Sequence, residues 1–378
     1  MVNFFKLFTL VCLLSNLSFS QNISVDYSLE HNLDLFHVKE PLKLWLDFLN
    51  TSDDIDGAKF WNKKAIEKYG NKDYFQLNDL DYFELGDKVR TLQYGTTVLG
   101  ITKVDSIFKI TSQLRIEYND SVSTTPFIFY VYAMIDENSN ELKLYNPLAV
   151  NQRLYMKSTK VKNITYIYPE EHKFNKLLAL KQYKVLKNIS KEFDIPLNEY
   201  SFFFTNSRSS YYHLKGYDFH FENNGVEYPS GKADVDNSIV YSFGTNEYYP
   251  HELIHLLVNK KWANTHLWFQ EGFATYFGGS RGKSLDFHIE KLKVYLKNNP
   301  NLKMEDLLKM KNLDDETGFR YVIGGLFVKI AYENGGAHRV LNLMSKGLSD
   351  EDFVKTLEET FNIKGSQIDS FFKKNLFL

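Results

Sequence analysis

The sequence predicts an α+β protein in two parts: an N-terminal α+β domain, then a domain with a small β-sheet and a mostly helical C-terminal half. Three observations point there. The 378 residues are enough for two domains with separate hydrophobic cores. Between residues 91 and 145 the texture is β-branched and aromatic, bounded by turn residues. After Gly282 the apolar residues recur at helical spacing to the end of the chain.

Taken in order, residues 1–20 carry Lys6, a Phe/Leu/Val-rich run and a polar end before Gln21. That is the pattern of a secretory signal peptide cleaved near Ser20–Gln21, so a secreted or periplasmic protein is expected. The apolar run is too short to span a bilayer comfortably, and no stable membrane insertion is expected. An α+β accessory domain follows at 21–161. In it, Glu40–Asn50 and Gly57–Tyr69 read as helices, the second closed by Gly70. Val98–Ile101, Ser106–Tyr118 and Phe127–Ile135 read as strands, and the turn Asp136–Asn140 leads into Glu141–Tyr145 as a hairpin. The second domain, 162–378, opens with a helix over Glu170–Phe193. Strands over Tyr200–Thr205, Tyr217–Glu222 and Ser238–Phe243 come next. Helices are expected over Lys283–Asn298, Met304–Lys311, Gly318–Glu333, Ala337–Lys346, Ser349–Phe361 and Ser366–Lys374. Ser349 and Asp352 are spaced as a capping box.

Composition narrows the function classes. A formal net charge of −2 gives no electrostatic case for nucleic acid or an anionic membrane as partner. Cys12 is the single cysteine and lies in the leader, so stability must come from the hydrophobic core or a bound metal rather than disulfides. The 31 Phe and 25 Tyr are scattered through strands and helices, which suits core packing better than a stacking platform.

The chemistry concentrates in Tyr248–Leu257, which contains H-E-x-x-H as His251, Glu252 and His255. Pro250 suits the first turn of a helix, where its missing N–H costs little. Leu253–Val258 is apolar, and Lys260 and Lys261 follow where positive charge favours the helix dipole. Residues four apart share a helix face, so both imidazoles reach one point and can take two corners of a tetrahedral zinc site. Glu252, beside the first of them, can take a proton from a water that the metal activates.

A third donor is supplied downstream by Trp268–Phe277, an apolar helix with a single acid, Glu271, stopped by Gly278 and Gly279. A lone carboxylate among such neighbours must be paired, neutralised or metal-bound. The short loop 259–265 can bring it back over the histidines, and two His with one Glu is a catalytic zinc set. His266 is a rival, eleven residues after His255; His at 261 would suit another arrangement, but Lys261 stands there. His213 and His220 read as ordinary surface or hydrogen-bonded histidines.

H-E-L-I-H followed by W-F-Q-E-G-F-A-T-Y resembles the gluzincin zinc metallopeptidases, the thermolysin-like and aminopeptidase-like clan whose third ligand sits in an E-G-x-A helix. The resemblance covers about residues 240–335. It implies a gluzincin-like catalytic domain, zinc at His251, His255 and Glu271, Glu252 as general base, and a peptide or protein substrate. In such domains the substrate adds as a strand to the edge of the small sheet; Ser238–Phe243, nearest the motif, is the expected edge. Relatives often place a Tyr near a Gly pair after the third ligand, aimed at the oxyanion. Tyr321, before Gly324 and Gly325, is the candidate, with Arg320 and His338 as alternatives. The chain departs from the pattern twice. No G-x-M-E-N stretch lies upstream, and Thr275 stands where thermolysin-like members carry an acid, from which it can still hydrogen-bond a ligand histidine. The function expected is a secreted zinc-dependent metallopeptidase. The alternative is a non-catalytic zinc-containing module that holds a peptide or glycan, against which the intact Glu252 speaks.

Overall fold

The computed structural model describes residues 23–51, 57–69, 95–119, 122–225, 227–345 and 347–378. The expected signal peptide lies outside them. Two compact units emerge: the residues up to Leu154 with Tyr212–Asn224, and Tyr155–Tyr211 with Gly225–Leu378. The chain thus passes to the second unit after Leu154, where the sequence suggested 161, and returns once to the first.

In the first unit, strands β1 (Ser24–Val25), β2 (Thr96–Val104), β3 (Ile107–Asn119), β4 (Val122–Ile135) and β5 (Leu142–Tyr145) lie side by side in that order. The β1–β2 pair is parallel and the others are antiparallel. Helix α1 (Lys39–Leu49) buries Trp45, Phe48 and Leu49, and the Trp45 indole donates to Ser112 of β3 at 3.0 Å. The expected β4–β5 hairpin is present, closed by Asp136, whose side chain accepts from the N–H groups of Asn138 and Ser139. The strand at Tyr217–His220 corrects the sequence reading. Expected in the second domain's sheet, it pairs instead with Phe127–Phe129 of β4, in the stretch of that strand that precedes its pairing with β5.

The second unit's sheet holds β6 (Met156–Val161), β7 (Ile164–Pro169), β8 (Tyr200–Thr205), β9 (Ser230–Asp234) and β10 (Ile239–Phe243), in the order β9-β10-β8-β7-β6. The three inner strands run parallel, and the edges β6 and β9 are antiparallel to their neighbours. Helix α2 (Lys176–Glu192) starts six residues later than expected because the Asn175 side chain caps it, accepting from the N–H groups of Leu177 and Leu178. It buries Ala179, Leu186 and Ile189, whereas Leu177, expected on the inner side, is exposed.

The helical half comprises α3 (Pro250–Val258), α4 (Leu267–Gly278), α5 (Leu285–Asn298), α6 (Phe319–Leu343), α7 (Asp350–Phe361) and α8 (Ile368–Phe377). Two expected helices merge in α6 across a kink at Gly336, where φ is 58° and ψ −154°. The Ser349–Asp352 capping box forms in both directions. One continuous core runs from Ile164 and Phe202 of the sheet through Leu253 and Phe269 to Phe327 and Phe372. Among the described residues no helix is long and apolar enough to cross a membrane.

Candidate metal centre

Every residue of α3 is buried, and the helix packs against α2, α4, β9 and β10. Burial of Leu253, Ile254, Leu256, Leu257 and Val258 stabilises it by about 1.5–3 kcal/mol each, which offsets the cost of holding two histidines and a glutamate out of water. Helix α4 brings the third donor. It crosses α6 at Gly272 and Gly324, where a Cβ on either residue would collide with the backbone of the opposite helix. The glycine after Glu271 therefore serves the crossing, and the crossing puts Glu271 beside α6. At its end Gly278 lies against α3, since a Cβ there would stand 3.0 Å from the His251 nitrogen. Gly279, at φ 76°, then turns the chain away.

The ligand atoms of His251, His255 and Glu271 all lie within 4.8 Å of one another. His251 Nε2 and His255 Nε2 are 3.2 Å apart, and each is 3.3 Å from Glu271 Oε2. The outer nitrogens fix the state of the inner ones. His251 Nδ1 sits 2.6 Å from the Gly279 carbonyl, which can only accept, so Nδ1 carries the proton and the Nε2 lone pair faces the cluster. His255 Nδ1 faces Asn259 Oδ1 at 3.3 Å with the same consequence. Two nitrogen lone pairs and a carboxylate oxygen at such separations repel unless a proton or a cation lies among them. The donor set therefore fits a divalent metal ion, with two neutral imidazoles, one carboxylate and second partners that fix ring orientation.

Without a metal the same repulsion is relieved by protons. Burial pushes the His255 imidazole down, but the hydrogen bond and charge of Glu271 outweigh it and raise the group to about 9. Burial would raise Glu271, but hydrogen bonds from His251 and His255 overcome it and hold the carboxyl well below its usual range. Glu252 behaves differently. Burial lifts its carboxyl above the ordinary value, and the charge of Glu271 adds to the lift against the two imidazoles. Its side chain rests on the edge strand β9, and a Cβ on Gly231 would fall 2.6 Å from Glu252 Cγ.

Tyr321 is on the first turn of α6, its ring edge-on to His251 at 5.8 Å between centroids. Arg320 donates to its hydroxyl at 3.0 Å and lies 3.7 Å from Glu271 Oε1, so these two sequence candidates share one corner of the centre. The rival ligand His266 is engaged elsewhere. It caps α4 through Nδ1 and faces Asp350 through Nε2. His213 and His220 belong to the first unit.

Two expectations are corrected. Thr275 Oγ1 is buried without a hydrogen-bond partner; the His251 partner is the Gly279 carbonyl, reached because α4 ends against the start of α3. The edge strand is β9, since Ile239–Phe243 is covered on both sides by β9 and β8. Neither was readable from spacing, because both depend on how distant segments stack. A glycine at 231 was the available signal for β9, and only a known neighbour would have given it meaning.

No family model matches the chain, and no curated protein matches its sequence. Among solved structures it is similar to the M1 zinc metallopeptidase from Deinococcus radiodurans, at 14% identity over 75% of this chain and 61% of that one, with a TM-score of 0.32. A mutant of that enzyme bound to a Tyr-Ser-Ala substrate gives 13% identity, 74% and 62% coverage and a TM-score of 0.31. The chain thus spans about three fifths of the length of these structures. At such values the assignment of the site rests on its own geometry.

Proposed function

We propose that this chain is a secreted zinc-dependent metallopeptidase that hydrolyses peptide bonds. The observation that supports it is the convergence of His251, His255 and Glu271 on one point, with Glu252 buried beside them. Zinc bound there would polarise a carbonyl and bring the pKa of a water down to roughly 7. The residues of the chain do the rest. Glu252, next to the first histidine and buried beside the cluster, takes the proton of the attacking water and passes it to the leaving amine. The Tyr321 hydroxyl donates to the oxygen that gains charge in the transition state. The Gly279 carbonyl and Asn259 Oδ1 keep the two imidazoles in the metal-binding orientation. An extended peptide adds to β9, where main-chain hydrogen bonds supply affinity. Secretion is supported by the apolar leader at 1–20.

The test is zinc content and cleavage of casein and a peptide library, for the native protein, the chelated protein and Glu252→Gln. The expected result is stoichiometric zinc in the native protein and the variant, with cleavage in the native protein alone. Cleavage that survives both chelation and the substitution would end the reading. Stoichiometric zinc without turnover of any library member would favour the holding module instead.

A further inference from the structure

Two residues past the carbonyl that orients His251, the chain makes a tight turn closed by Ser280 and Lys283, each donating to the other's carbonyl at 2.9 Å. Arg281 occupies this turn at φ 49°, a left-handed conformation that costs a non-glycine residue energy. Its guanidinium lies over the Tyr228 ring, 4.5 Å from the centroid, and donates to the Asp315 carbonyl. Among the described residues no carboxylate lies within ion-pair distance of it. The Gly279 carbonyl, at the start of the turn, lies 2.6 Å from His251 Nδ1, so the turn borders the candidate centre.

The edge strand connects the two places. Gly231 of β9 touches Glu252, and Tyr228 precedes it by three residues, on the order of 10 Å of extended chain. Pro229, between them, lies beside the turn, since a Cβ on Gly282 would stand 3.6 Å from its ring. A peptide added antiparallel to β9, with its scissile bond at Glu252, runs its C-terminal side toward Tyr228. There it meets a guanidinium with no carboxylate partner among the described residues, resting on the Tyr228 ring.

We propose that Arg281 anchors a substrate carboxylate two or three residues beyond the scissile bond, on the leaving-group side. The carboxylate is the free C-terminus of a short peptide or an acidic side chain at the same place. A guanidinium there forms a charge-assisted pair with the carboxylate and repels an ammonium, which also selects the antiparallel direction over the parallel one. The inference rests on the proposed peptidase reading for the position of the scissile bond.

The test measures equilibrium binding to zinc-loaded Glu252→Gln and to the double variant Glu252→Gln/Arg281→Gln. The ligands are blocked tri- and tetrapeptides in three forms: free acid, C-terminal amide, and amide with an acidic residue near the C-terminus. In the single variant the free acid is expected to bind about tenfold tighter than the plain amide, and the double variant to lose that difference while binding the amide unchanged. Tighter binding of the acidic amide alone assigns the site to a side-chain carboxylate. Equal affinities for all three forms, or a preference that survives Arg281→Gln, would overturn the inference. Native protein on the same panel separates the two claims. Retained acid preference without cleavage removes the peptidase reading and leaves the carboxylate anchor standing.

Discussion

Asp136 in the first unit and Glu271 in the second are both carboxylates held below their ordinary range, but by different kinds of partner. Asp136 is saturated with neutral donors: the N–H groups of Ser139 and Asn138, the Asn62 amide and the Tyr145 hydroxyl. Nothing in that set gains by exchanging a partner for an ion, and the residue closes a hairpin. Glu271 faces two imidazoles whose own outer nitrogens are fixed, and it raises His255 to about 9, so that ring can hold it through an extra proton. A cation can replace that proton and satisfy all three groups at once. Asp136, satisfied by neutral donors, has a structural role, whereas Glu271, beside two imidazoles with fixed outer nitrogens, belongs to a group that could hold a metal ion.

That contrast can be broken in four ways, from the largest effect down. Glu271→Gln should weaken zinc by more than roughly 100-fold, beyond the usual cost of losing a partner outside the ligand set, as read by competition with a chelating dye. An unchanged zinc affinity would return Glu271 to the same class as Asp136. Tyr321→Phe should lower kcat on the order of 100-fold or more with zinc retained and KM little changed. A change confined to KM would move Tyr321 from the transition state to simple substrate contact. The third prediction concerns pH. His255 is raised from 6.5 to about 9, so in the metal-free protein its stabilising contribution is complete below pH 6.5 and lost as pH rises to 9. Zinc competes with that proton. Its affinity should rise about tenfold per pH unit toward 9, with close to one proton released at pH 7, measurable by calorimetry in two buffers. Binding that releases no proton would contradict the protonated state. Smallest is Asp136→Asn, expected to lower the melting temperature by about 2–4 °C while zinc content and cleavage stay the same.

The same contrast explains what the sequence disclosed. His251 and His255 were legible because four residues on a helix is a local rule, and α3 formed where its apolar run and Pro250 indicated. Glu271 stood out as the lone acid of an apolar helix. The chain stops at Gly278–Gly279 and the Ser349 capping box were likewise local. What was hidden depends on tertiary stacking. The Gly279 carbonyl reaches His251 only after α4 folds back on α3. The edge position of β9, and with it the contact of Gly231 with Glu252, follows from sheet order. Asn175 was available as a cap signal, yet the helix was expected to start at Glu170. Tyr217–His220 reads as a strand in either sheet, and only pairing with β4 decides between them.

That strand also governs how the molecule can be divided. Its flanking segments belong to the second unit, so a polypeptide beginning at Tyr155 would still carry Tyr217–His220 but lack the β4 residues it pairs with. Such an orphaned edge invites self-association. Neither unit is one continuous segment of chain, so neither is a natural candidate for separate production or for exchange by domain shuffling.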